Sequence, residues 1–193
     1  MTKIMKNLTL LLVVTGLCGW PSFAQQAQQK SDASKATPSS SQIVLAQWNE
    51  IGRKLIAMAE DFPEDKYDFK PTPETRSFAE QLLHAAGSME YFTAPAQGKT
   101  PSRESENPPR ATYKTKADVV AFVKKEVEAG AAAIKAKGDK GMADLITESD
   151  SKQQMHVSDL AYGLIEHSAE HYGQLVVYYR LSGLVPPESR PKK

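Results

Sequence analysis

Cysteine is nearly absent. Of 193 residues only Cys18 carries a thiol, and it lies in a stretch read below as removable, so a disulfide scaffold, a thiolate metal site and a cysteine nucleophile are all excluded from the mature chain. No segment sustains an apolar–polar alternation, so strands are not expected. The longest apolar run, Leu8 to Leu17, is too short for a membrane span, which needs roughly 20 residues. Neither sign of charge dominates: 24 Lys and Arg stand against 23 Asp and Glu, and nothing in that balance predicts a nucleic-acid partner.

What is present begins with an export pattern. Lys3 and Lys6 precede the apolar run, and Ser22-Phe23-Ala24 offers small residues at the two positions a signal peptidase reads. Residues 1–24 are expected to be a cleaved signal peptide and the protein to be secreted or periplasmic, with no membrane attachment afterwards. Leu17 ahead of Cys18 speaks against lipidation, since a lipoprotein site wants a small residue there. Residues 25–40 (QQAQQKSDASKATPSS) are polar and of low complexity and cannot bury a core, so they read as a linker. Residues 41–187 suit one domain, and 188–193 form a tail.

Four helical segments stand out within that domain. The first, from about Ser41 to Glu60, repeats Val44, Trp48, Ile51, Leu55 and Met58 at helical spacing. The second opens on the capping box Ser77-Phe-Ala-Glu80 and continues through Phe78, Leu82, Ala85, Met89 and Phe92. A proline-rich connection, Thr93 to Lys114, follows; its length suits a crossover between distant helix ends or a flap over a site. The third helix runs from about Thr115 to Lys137 and buries Val119, Val123, Val127, Ala131 and Ile134. Gly130 interrupts it at about 1 kcal/mol relative to Ala. Residues 140–155 read as irregular, with room for one turn of helix. The fourth helix is expected from an N-cap at Ser158 to Gly183, with Pro186 and Pro187 barring continuation. The fold class is all-α, a helical bundle.

Two of the four histidines, His167 and His171, stand four residues apart on the fourth helix. That spacing puts both imidazoles on one face, one turn apart, where they can grip one divalent ion. They share a stripe with Leu160, Leu164, Leu175 and Tyr178 that faces the interior. Ordinary histidines hydrogen-bonded to neighbours fit the spacing equally well. His84 falls beside Ser88 and Tyr91, away from the centre of its helix's stripe, which suits a surface residue. His156 precedes the fourth helix and reads as solvated.

The order of a capped helix with Leu-Leu-His84, a long connection, a third helix and then His167-x-x-x-His171-x-Gly-Gln-Leu-x-x-Tyr-x-Arg-x-x-Gly-x-x-Pro-Pro resembles the DinB/YfiT-like family. Phe62-Pro-Glu-Asp-Lys-Tyr-Asp-Phe-Lys-Pro-Thr-Pro resembles that family's first inter-helix segment. The resemblance implies a four-helix bundle, up-down-down-up, with a long crossover between helices 2 and 3. It implies a divalent metal held by His84, His167 and His171. Where the family often has Arg after the last histidine, this chain has Tyr172.

Three neutral imidazoles leave coordination open to water, and zinc or nickel, with iron and manganese as alternatives, suit such a set. Glu166, Glu170 and Gln174 are near in sequence. A solvated helix face is the default for both glutamates, with a general-base role the alternative for Glu170, and Gln174 could line the pocket. Tyr179 and Arg180 match the family block by position, where core packing and a salt bridge stand beside substrate contact as readings. The resemblance further implies a hydrolase or thiol transferase acting on a small-molecule substrate. Export favours hydrolysis over transfer from a cytosolic thiol. A non-enzymatic metal-binding or stress-related module, and a structural homodimer using Tyr162, Tyr172 and Tyr178, are the alternatives.

Overall fold

A computed structural model describes residues 37–148 and 151–191. The expected signal peptide, and the linker up to residue 36, lie outside the described residues. Within the unit Pro38–Lys193 the long helices are α1 (Ser40–Asp61), α2 (Phe78–Gly87), α3 (Glu90–Ala96), α5 (Lys116–Met142) and α6 (Val157–Leu181). A short α4 (Arg103–Glu106) interrupts the crossover. Among the described residues no helix is long and apolar enough to cross a membrane.

The apolar stripes read from the sequence form the core. Trp48, Ile51, Leu55 and Met58 of α1 are buried, as are Phe78, Leu82, Ala85, Met89 and Phe92, and Val119, Val123, Val127, Ala131 and Ile134. Ser39 and Ser77 cap α1 and α2, and Thr115 caps α5, each in a reciprocal box with the residue three positions on. Near the Phe62 end the rings of Phe62 and Phe78 stack at 3.7 Å, and Tyr179 closes on Phe62 at 4.8 Å.

Cross-helix bonds fix the directions. Ser41 N–H donates to Asp139 (2.8 Å), Trp48 Nε1–H to the Val127 carbonyl (2.9 Å), and Lys116 Nζ to the Phe62 carbonyl (2.8 Å), so α5 runs against α1. Trp48 meets Phe92 and Phe62 meets Phe78, so α2 and α3 also run against α1. Lys54 lies over Tyr172, and the Tyr179 hydroxyl donates to the Met58 carbonyl, so α6 runs with α1. The bundle is up-down-down-up. Because α2–α3 and α5 point the same way, residues 97–115 travel back along the bundle as a crossover.

Four expectations change. The second helix does not run unbroken to Phe92: it stops at Gly87 and restarts at Glu90. A Cβ on Gly87 would stand 2.0 Å from the Ser105 carbonyl, so glycine admits the crossover there. Ser88 turns its hydroxyl back onto the His84 carbonyl (2.8 Å), a contact that bends helices. Beyond the break, helix continues through Pro95 to Ala96, where the connection was expected to have begun at Thr93. Strands do occur: Leu145–Thr147 (β1) pairs antiparallel with Gln154–His156 (β2), too short to show as periodicity. Finally, α6 is capped at His156, not Ser158; the Asp159 carboxylate accepts the His156 N–H (3.2 Å).

The ends hold as read in two places. Gly138, at φ 55°, breaks the helical path of α5 before one further turn, and Gly183, at φ 74°, follows α6. The segment set apart as a tail is tied back to the bundle, since Arg190 pairs with Asp61 (2.6 Å) and Glu188 with Arg53 (2.8 Å).

Gly130 is not a tolerated defect in α5. A Cβ there would stand 1.8 Å from Cζ2 of the buried Trp48 indole. Gly130→Ala is therefore expected to destabilise the fold by about 1–3 kcal/mol through overpacking, despite alanine's better helix propensity. Urea unfolding measures it; a more stable variant would mean that Trp48 and α5 can part freely.

Candidate metal centre

His84, His167 and His171 converge. One nitrogen from each ring lies within 4.8 Å of the others, and no carboxylate or further histidine joins the group among the described residues. The ring centroids are 4.4 Å apart for His167 and His171, 4.7 Å for His84 and His171, and 5.4 Å for His84 and His167. His84 and His171 are buried and His167 is half-buried. The surface position suggested by the helical wheel for His84 fails because the crossover covers that side of α2. His156 stands apart, exposed, with Nδ1 on the Ala143 carbonyl (2.8 Å).

Each buried ring has an orienting partner. His84 Nδ1 faces the Glu106 carbonyl (3.0 Å) and Asn107 Oδ1 (3.1 Å). A backbone carbonyl only accepts, so Nδ1 carries the proton and the Nε2 lone pair is left for a cation. His171 Nδ1 contacts the Gln81 carboxamide at 2.5 Å, and that carboxamide also bonds Gln174. Gln81 Nε2 is the atom on His171 Nδ1, and it donates to Gln174 Oε1. Exchanging the amide oxygen and nitrogen of both glutamines keeps the same contacts, lets His171 Nδ1–H and Gln174 Nε2–H donate to Gln81 Oε1, and frees His171 Nε2.

His171 Nε2 and His167 Nε2 are then 3.1 Å apart. Two imidazole nitrogens on one tetrahedral ion, at about 2.0–2.1 Å each, stand roughly 3.3 Å from one another, so the pair fits a shared cation without rebuilding. Facing lone pairs at that distance otherwise need a proton between them.

Burial pushes all three imidazoles below their ordinary titration range, and Arg76 adds to the effect on His84. His171, buried and facing His167 and His84, is lowered to about 4. All three are neutral at pH 7, the form that ligates metal. The sign for stability follows. Between pH 6.5 and about 4 the unfolded chain binds the His171 proton and the folded chain does not. Stability is present above 6.5 and is lost as pH falls toward 4. The melting temperature of the metal-free protein is expected to drop across that window, and more shallowly in His171→Ala; an unchanged slope in the variant would remove His171 as the source.

Several supporting groups escaped the sequence reading. Gln81 lies one turn before His84, on the same face of α2, and that spacing was the only signal for it. Asn107 and the carbonyl of Glu106 come from the crossover, which acts as the flap as well. The Glu106 carboxylate is half-buried, and its field reaches both His84 and His167. Among the residues that were named, Gln174 joins the Gln81 bond and Glu170 is exposed, its charge felt by His167. Glu166 and Arg180 are exposed, and Arg180 forms no ion pair among the described residues. Tyr179 packs in the core; of the three tyrosines considered for an interface, only Tyr162 is exposed.

A sequence profile of the DinB superfamily matches residues 47–175. No curated protein matches. Similar solved structures include a DinB-like protein from Bacillus cereus, with TM-score 0.63 and 18% identity over 75% of this chain and 93% of that one. A DinB-like protein from Bacillus subtilis, YjoA, gives 0.60 and 18% over 77% and 99%. YfiT from Bacillus subtilis, described as a probable metal-dependent hydrolase with an unusual four-helix bundle topology, gives 0.55 and 14% over 78% and 93%. At these identities the likeness is one of fold.

Proposed function

The chain belongs to the DinB superfamily, and from that premise we propose that it is an exported metal-dependent hydrolase of small molecules, with zinc or nickel held by His84, His167 and His171. The observation that carries the reading is the convergence of three neutral imidazoles, with nitrogens within 4.8 Å of one another and no fourth protein ligand among the described residues. Three ligands with one position open is the pattern of catalytic sites, whereas structural sites close with four. The description of YfiT as a probable metal-dependent hydrolase points the same way. Export rests on the Lys3 to Ala24 pattern.

A divalent ion at this place supplies Lewis acidity toward a carbonyl or phosphoryl oxygen. The chain's own groups do the rest. Gln81 with Gln174, and Glu106 with Asn107, fix the tilt and tautomer of His171 and His84. The Glu106 carboxylate, half-buried and with its charge acting on both His84 and His167, is the base that takes the proton of the attacking water. The exposed Glu170 is a weaker choice because solvent screens it.

The test is a panel of chromogenic esters, amides and lactams offered to chelator-stripped protein before and after addition of zinc or nickel. Turnover that appears only with metal supports the proposal. Tight metal binding with no turnover on the whole panel would reduce the protein to a metal-binding module.

A further inference from the structure

The cations near the metal centre are not equally matched. Lys70 pairs with Glu80 (3.4 Å) and Arg110 with Asp68 (2.8 Å). Arg76 has no carboxylate partner among the described residues; its Nη2 donates to a neutral acceptor, Asn107 Oδ1 (3.1 Å). That same oxygen faces His84 Nδ1, so one atom links the guanidinium to a ring of the metal centre. The other N–H groups of the fork are left for a ligand.

Arg76 also borders the space where a ligand would lie. A cavity of about 630 Å³ opens between Arg76, Gln81 and Gln174 on the polar side and Pro71, Val177 and Tyr178 on the apolar side. Gln81 and Gln174 are the groups that hold His171, so the cavity abuts the centre. Val177 is half exposed on this wall, apolar surface that a substrate can cover. Glu74 also lines the cavity and offsets part of the positive charge of Arg76, which favours a singly charged ligand over a doubly charged phosphate.

We propose that Arg76 is a substrate-binding residue that recognises a carboxylate, so that the site takes acyl compounds carrying a free carboxylate and an apolar body lying against Val177 and Tyr178. The planar fork of arginine matches a carboxylate with two parallel bonds. The placement of the reacting bond near the three imidazoles rests on the hydrolase reading above; the carboxylate site does not.

The test separates the two. Hexanoate and its uncharged analogue hexanamide are titrated by calorimetry into metal-free protein, where coordination by an ion cannot contribute. Wild type is expected to bind hexanoate at least about tenfold more tightly than hexanamide, the scale of one charge-assisted bond. Arg76→Gln should lose the preference and Arg76→Lys keep part of it. The exposed Arg76 side chain packs no core, and Tyr178 bonds its backbone carbonyl, so both variants keep the fold. Equal binding of the two compounds by wild type, or an undiminished preference in Arg76→Gln, would overturn the proposal. With zinc-loaded protein, kcat/KM for a nitrophenyl ester bearing a carboxylate, relative to a neutral one, should fall about tenfold in Arg76→Gln. No turnover of either ester by wild type would sink the hydrolase reading alone, with the hexanoate result still deciding the role of Arg76.

Discussion

His171→Ala is expected to lower the affinity for zinc by more than about 100-fold. Zinc binding by four-ligand structural sites is worth some 10–16 kcal/mol, so one imidazole carries roughly 3 kcal/mol. The loss here bites harder, because only His84 and His167 remain and no carboxylate oxygen joins them within ligand distance among the described residues. The fold should survive. Gln81 and Gln174 bond each other and stay satisfied when the ring leaves, so little polar surface is orphaned. Competition against a chelating dye measures the affinity, and urea unfolding of the metal-free proteins controls for damage. Undiminished zinc affinity would place the ion elsewhere.

Glu106→Gln is expected to reduce kcat by about 10²–10⁴, the usual worth of a positioned general base. Metal content should not change, because the contact of Glu106 with His84 runs through its backbone carbonyl, which glutamine keeps. That separation makes the variant informative: activity falls while the ligand stays oriented. Glu170→Gln should leave kcat near the wild-type value. Were Glu170→Gln the damaging change and Glu106→Gln the silent one, the proton would go to the exposed face of α6, and the crossover would be left with orienting His84 alone.

The parts of the molecule governed by local chemistry were readable from the residues. Apolar spacing gave the stripes of α1, α5 and α6, and the boxes at Ser77 and Thr115 marked helix starts, because capping and periodicity act within a few positions. The pair His167 and His171 was legible for the same reason. What resisted was set by partners distant in the chain. The wheel for α2 assumed one buried side; the crossover covers a second, and His84 lies beneath it. Gly130 read as a penalty because its cause, the Trp48 indole, stands on another helix. The break at Gly87 has a similar origin in the Ser105 carbonyl. The β1–β2 hairpin is three residues deep, too little for any period to emerge. Among the site residues, Glu106 and Asn107 sit in a proline-rich connection where no pattern assigns a direction to a side chain.

Metal analysis of the purified protein tests the central claim most directly, wild type beside a variant with His84, His167 and His171 all changed to Ala. The arrangement of the three imidazoles predicts one divalent ion per chain in wild type and none in the variant. Equal metal in both proteins, or none in wild type after exposure to zinc and nickel, would contradict it.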